Sequence, residues 1–430
     1  TGSNFLSLYG RTLQQAEFKI STSNSETAGV LDTSVTDYTS ATNTVTIPLL
    51  PANTAHYWQV RYKDQDGLYS LWSTVATFTT AAIATLFTSA VSGDWNQGST
   101  WGNGGAVAGV DFPAEFGGGD VEISPGHEVV IPLGVSAKCT SLKLEQGTIY
   151  PSGSGAVTKI IINGSLTLQT GRTETIHGVS QTYGLCHLFA SNIEMGPGSS
   201  LDLNGLDYAY EAEQGTGSAR EPSRQKWVAS GTLSNPVTIR GGASKATGSN
   251  LIQLDAGSIY SYYEIEWSFA NVRGFASMTW EGYNGWSSTH PHWFFHRCDF
   301  DDTAMPKQSL INANGKRHYI GNRFLNIDST FDIGGFTPTV TGEFHKNVFH
   351  STNSSSISAS TGYTFKKNVF LGFTTQSVRT VQMSENIASD YLGAFGYINS
   401  LYTTLATGEI NSNYILRQRN NPHILSPGVP

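Results

Sequence analysis

Between residues 265 and 415 one short pattern, apolar-x-x-Asn-x-apolar, returns seven times in order, and repetition on that scale leaves a chain few folds. It reads Tyr319-Ile-Gly-Asn322-Arg-Phe324, Phe344-His-Lys-Asn347-Val-Phe349 and Phe365-Lys-Lys-Asn368-Val-Phe370. Met383-Ser-Glu-Asn386-Ile-Ala388 and Ile410-Asn-Ser-Asn413-Tyr-Ile415 continue it. Upstream, Ile265-Glu-Trp-Ser268-Phe-Ala270 and Phe295-His-Arg-Cys298-Asp-Phe300 fit, with Ser or Cys in place of Asn. The key positions 268, 298, 322, 347, 368, 386 and 413 stand 30, 24, 25, 21, 18 and 27 residues apart. Such irregular spacing is what a parallel β-helix produces, because each coil keeps its strands while insertions fall in turns. Asn is expected to make the bend, since it tolerates left-handed backbone. Stacked side-chain amides can then hydrogen-bond along the axis, and the apolar flanks turn inward.

At 430 residues the chain exceeds the usual single domain unless one part grows by repetition. Charged residues make up 13% and aromatic residues 11%, which excludes a disordered chain and supplies a core. The net charge of -8 argues against a general nucleic-acid binder. Cys139, Cys186 and Cys298 are too few and too scattered for a disulfide framework, although one bridge stays open. No apolar run approaches a membrane span. No signal peptide is visible, and the abrupt start at Thr1 fits a mature secreted chain and a trimmed one alike.

Residues 1–82 read as short strands split by turns, among them Asp66-Gly67. Through Leu50, Tyr57, Trp58, Val60, Arg61, Tyr62, Gly67, Ser70, Trp72, Ser73 and Phe78 this segment resembles a bacterial fibronectin type III domain. The resemblance implies a spacer or adhesive module in an extracellular or cell-surface setting, with Trp58 and Trp72 in its core. After a hinge at 81–85 the texture changes to alternating runs broken by Gly or Asn, with no helical period. With Trp95, Trp101 and Gly126, residues 92–170 resemble the eight-glycine domain that opens some extracellular β-helix proteins. From about 92 to 430 the chain resembles the right-handed parallel β-helix of pectate-lyase-like proteins. The expected architecture is therefore all-β: a fibronectin type III-like β-sandwich over 1–82, then a right-handed parallel β-helix over 83–430 with its Asn-ladder coils at about 260–415.

Residues between the first apolar position and the Asn face outward in this reading. His296, Arg297, His345, Lys346, Lys366 and Lys367 then stack into a basic column on an acidic protein, with Lys316, Arg317 and His318 near its gap. Such a strip suits a polyanion, above all an acidic polysaccharide; its plainer alternative is a solvated turn. One place beyond the Asn, Asp299 and Arg323 begin a column that becomes apolar at Val348, Val369, Ile387 and Tyr414. That stripe is either a self-association surface or is covered by this chain, for which 391–405 and 419–430 are candidates. Trp280, Tyr283, Trp286 and Trp293, with His290 and His292, could line a sugar cleft, with His296, Arg297, Asp301 and Asp302 for acid–base work. Alternatively this stretch is a long turn packed by its own rings. No cofactor is expected, and no metal, because His290-x-His292 lacks a third ligand.

The resemblance does not carry an activity. A polygalacturonase-like set needs Asn-x-Asp, Asp-Asp and Gly-His-Gly on successive coils, and here Asp301-Asp302 stands alone. The pectate-lyase motif Arg-x-Pro-x-x-Arg is absent. Fold does not give function. Two readings follow: a non-catalytic surface protein that is structural, adhesive or glycan-binding, which is favoured, and a lyase acting on an acidic glycan.

Overall fold

The computed structural model describes residues 11–31, 36–41, 54–80, 86–105, 107–108, 110–113, 119–145, 147, 157–176, 179–188, 190–210, 225–253, 263–281 and 292–304. In the later coils it describes 307–309, 316–327, 331–332, 341–351, 356–359, 363–371, 375–378, 382–384, 387–389, 409–411 and 414–415. The chain divides into two compact units, Thr1–Ala84 and Thr85–Pro430.

The first unit is built on a four-stranded antiparallel sheet ordered Thr36–Ser40, Leu13–Ser21, Ala55–Asp64 and Ala76–Thr79. Strict alternation in Leu13–Ser21 buries Ala16, Phe18 and Ile20, and Val60 meets Ala16 and Phe18 from the neighbouring strand. Asp64 closes the turn by accepting the N–H groups of Asp66 and Leu68 on Oδ1, and Gly67 takes φ +83°. Beyond it the backbone N–H groups of Tyr62 and Val60 donate to the hydroxyls of Ser70 and Ser73. Trp58 packs partly buried against the core as expected. Trp72 does not enter it. The ring is half-buried on the sheet face, where the Arg61 guanidinium lies 4.7 Å from Trp72 and 4.2 Å from Tyr69. A tryptophan can cover a cation as readily as fill a core, and sequence does not separate the two.

The second unit is a parallel β-helix. Among the described residues its coils build three parallel ladders. One has 12 strands, from Gly93–Asp94 to Glu409–Asn411; the next has 11, from Ser136–Cys139 to Tyr414–Ile415. The third has six, from Leu86–Thr88 to Leu251–Gln253, and shorter parallel groups follow it at Thr279–Glu281 and Phe331–Asp332. The described residues between 92 and 170 belong to the early coils, where Trp101 Nε1 donates to the Trp95 carbonyl at 2.8 Å and both rings are buried. Downstream, inward positions stack with their copies one coil away. Tyr319, Phe344 and Phe365 lie 4.6 Å apart in sequence, nearly parallel. Phe300, Phe324, Phe349 and Phe370 follow at 4.8, 5.0 and 5.1 Å in the 11-stranded ladder. Offset stacking of this kind adds to the burial of each ring.

The expected register holds from Phe295 onward, with Phe295, Tyr319, Phe344, Phe365, Met383 and Ile410 aligned. Upstream it is displaced by two residues. Trp267, not Ile265, pairs with Phe295, so the ladder position of that coil is Ala270 and Ser268 lies outward. Period-two alternation lets either residue satisfy the pattern, and the packing of Trp267 against Phe295 decides.

The asparagines do not make the left-handed bend. The residue before each described one, and before Cys298, does: Arg297, Gly321, Lys346 and Lys367 take φ of 53°, 69°, 57° and 57°, continuing Phe269 at 49°. A left-handed non-glycine residue costs about 1–2 kcal/mol, so the bend is placed there against local preference. Asn322, Asn347 and Asn368 are fully buried. Asn347 Nδ2 donates to the Tyr319 carbonyl at 2.6 Å and to Asn368 Oδ1 at 3.0 Å. Its Oδ1 accepts the Asn322 backbone N–H and Nδ2, both at 3.0 Å. The amide thus satisfies backbone groups that the bend takes out of both ladders, which no other uncharged side chain of that size can do. Asn386 and Asn413 lie outside the described residues.

Cys298 ends the ladder. It is a free, buried thiol, as are Cys139 and Cys186, and burial pushes its pKa up to about 12. Its backbone N–H donates to Asn322 Oδ1 at 2.9 Å, while Sγ donates to the Trp267 carbonyl at 3.4 Å. An amide makes that last bond better than a thiol. Cys298→Asn is therefore expected to raise unfolding stability by about 1 kcal/mol in chemical denaturation. A loss of 1 kcal/mol or more would show that the site is shaped for sulfur.

Candidate functional site

The bend between the 12- and 11-stranded ladders presents two outward columns. Along the last strand position run Ser268, His296, Ile320, His345, Lys366, Ser384 and Asn411. The left-handed positions beside them hold Phe269, Arg297, Gly321, Lys346 and Lys367. Among the described residues of these two columns none is acidic, and coils repeat at about 4.8 Å. His296, Arg297, Lys346, Lys366 and Lys367 are exposed and His345 is half-buried. The Arg297 guanidinium lies 5.4 Å from the Phe269 ring centroid. Burial first, then Arg297, hold the His296 imidazole below its ordinary pKa. His345 is lowered by burial and then by Lys346, Lys366 and Lys367. Both histidines are thus biased toward the neutral ring at neutral pH.

Two residues back on the same outward face, the pattern changes. Glu266, Phe294, His318, Glu343 and Thr364 are in register. The Phe294 and His318 rings stack 4.9 Å apart at an interplanar angle of 1°, and His318 Nδ1 lies 3.6 Å from Glu343 Oε2. One coil earlier Lys226 Nζ bridges Glu264 at 3.4 Å and Glu266 at 2.9 Å. Burial, with the neighbouring Glu266 second, raises the Glu264 carboxyl. Sequence reasoning passed over this Glu-x-Glu pair. Its only signal was Glu at alternate positions 264 and 266, which becomes meaningful once Lys226 is known to lie one coil away.

The other candidates scatter. Trp293 is a correction: it is 1% exposed, because alternation turns Trp293 and Phe295 inward and leaves Phe294 and His296 outward. Phe294 is the half-buried surface ring of that strand. Trp280 lies on a strand of a separate ladder paired with Gln308, and Tyr283, Trp286 and His290 fall outside the described residues. The side chains of Trp280, His292, Lys316 and Arg317 also lie outside them. Asp301 sits on the 11-stranded ladder beside Arg273, past the bend, and Asp302 takes φ 45° in the turn that follows. Neither stands on the columns that hold the basic residues. Val348, Val369, Ile387 and Tyr414 align in one column. Val348 and Val369 are half-buried, and Arg323 pairs with Asp299 at 3.2 Å where the column begins. The segments 391–405 and 419–430 lie outside the described residues. Among those described, no group of three metal-ligating side chains occurs.

Fold and surface together define a parallel β-helix with a cationic bend bordered by a mixed aromatic and acidic face, preceded by a small β domain. Residues 6–84 match the family described as Rha78A-like, N-terminal immunoglobulin domain, a match confined to the first unit. This gives an immunoglobulin-like domain where the sequence resembles a fibronectin type III module, and the two share a sandwich architecture. No curated protein and no solved structure matches the chain. No helix among the described residues is long and apolar enough to cross a membrane.

Proposed function

We propose that this chain is an extracellular glycan-binding protein, in which the β-helix serves as a non-catalytic scaffold and the outward bend takes an acidic polysaccharide. The observation that carries the reading is the registered stack of exposed cations on an acidic protein, flanked by the Phe294–His318 ring pair. Rings offer a face to a pyranose and cations meet its carboxylates. A domain of the Rha78A-like kind in the same chain adds a pointer toward carbohydrate-active proteins.

A second reading, a lyase, is favoured by one feature: neutral-biased His296 and His345 stand among cations. A lyase requires such a pair of elements, a base for the α-proton and a cation for the uronate carboxylate. One assay separates the readings. Incubation with alginate, pectin, hyaluronan and chondroitin is expected to give salt-sensitive binding to at least one, with flat absorbance for unsaturated product. Turnover that vanishes in His296→Ala or Arg297→Ala would overturn the non-catalytic reading. Failure to bind any of the four would remove both.

A further inference from the structure

We propose that Arg297, Lys346 and Lys367 form a register for a linear polyuronate laid along the β-helix axis, one carboxylate per coil, with one place skipped at Gly321. This rests on the glycan-binding reading and assigns it a site and a substrate class.

These three cations occupy left-handed positions, φ 53°, 57° and 57°, where Gly or Asn would sit without penalty. Gly321, in the same column at φ 69°, shows that the bend forms without a side chain. Lys and Arg are not residues that such a bend selects, and strain retained at repeated equivalent positions points to a role for the side chain itself. Solubility alone does not require it, because the adjacent strand position can carry lysine without strain, as Lys366 does.

Charge arrangement points the same way. Elsewhere on the β-helix, cations face carboxylates: Lys143 bridges Glu145 and Glu174, Lys159 bridges Glu128 and Glu194, and Lys226 bridges two glutamates. Among the described residues, neither Arg297 nor Lys346 forms an ion pair, and both are exposed. A coil spacing of about 4.8 Å is close to the length of one pyranose, so a polyuronate laid along the axis advances about one sugar per coil, and the long Arg and Lys stems reach carboxylates that its twist turns to either side. A flexible polyanion needs no register. A stiff chain of identical acidic sugars gains from one, since each contact is aligned by the one before.

The test compares polygalacturonate with its fully methyl-esterified form, by calorimetry, on the full chain. Wild type is expected to bind the free acid and not the ester. Lys346→Asn/Lys367→Asn should weaken binding about tenfold and flatten its salt dependence, with melting raised by a few degrees, because Asn tolerates the left-handed backbone better than Lys. Gly321→Lys fills the skipped place, where an added Cβ would lie 3.4 Å from Arg297 Cγ, and should strengthen binding about threefold. Binding of acid and ester alike, or no response to either variant while wild type still binds, would overturn the register and leave the glycan-binding reading standing. A melting loss in the double variant would also overturn it, by giving the lysines a structural role. Absence of binding to every acidic polysaccharide would take the glycan-binding reading down as well.

Discussion

Asn347→Ala is expected to lower unfolding stability by about 3–5 kcal/mol, measured by denaturant titration. The side chain is wholly buried and works in both directions along the axis. Removing it strands the Asn322 backbone N–H and the Tyr319 carbonyl at a position buried from solvent. Each such orphan costs about 1–3 kcal/mol. The amides are also linked, so the loss at Asn347 weakens Asn322 and Asn368 together. Lys346→Ala, one residue away and exposed, provides the comparison, with an expected change under about 1 kcal/mol. A loss for Asn347→Ala no larger than that of Lys346→Ala would mean that the ladder follows the coils and does not hold them.

Acidification is expected to destabilise the protein through His187 before the bulk of its carboxylates titrate. His187 is fully buried; Nε2 donates to the Ser191 carbonyl at 2.7 Å, which leaves Nδ1 to accept from the Tyr208 hydroxyl at 2.7 Å. Burial pushes its pKa down to about 3, opposed in part by the Ser191 carbonyl. In the unfolded chain it returns to about 6.5. Above that pH both states are neutral and the stability is complete. As pH falls from about 6.5 toward 3, only the unfolded chain takes up the proton, and stability drops by about 1.4 kcal/mol per unit. His187→Gln, which can still donate and accept, should flatten this slope between pH 6.5 and 5. Parallel curves for the two proteins would show that His187 is protonated in the fold.

How much of this was readable in advance differs by residue. Phe344, Phe349, Phe365 and Phe370 declare themselves because a coil repeats its inward positions, so the register from Phe295 to Ile410 follows from spacing alone. The Trp267 coil does not, since its apolar residues at 265 and 267 fit equally until the neighbouring rings are placed. Trp293 and Phe294 are adjacent large aromatics, and which faces outward depends on the phase of the strand against the next coil. Arg61 between Tyr69 and Trp72 is a matter of which rings fold back over which strand. His187 carried no signal, because a buried histidine is written no differently from an exposed one.

The basic column was legible as a set of residues, and its candidacy as a site came from the same repeat. What the sequence could not assign was the division of labour at the bend. Asn was the natural choice for the left-handed turn, yet it is buried and bonded, and the strained position falls to Arg297, Lys346 and Lys367. By itself the sequence determined the β-helix, its coil register over most of the repeat, and which side chains could reach the surface, because those depend on periodicity. Only the tertiary structure decided which side chain within each coil takes the strain and which takes the hydrogen bonds. Those roles depend on partners roughly one coil away, 21 to 25 residues off in the chain at Asn322, Asn347 and Cys298, and no local preference reports on them.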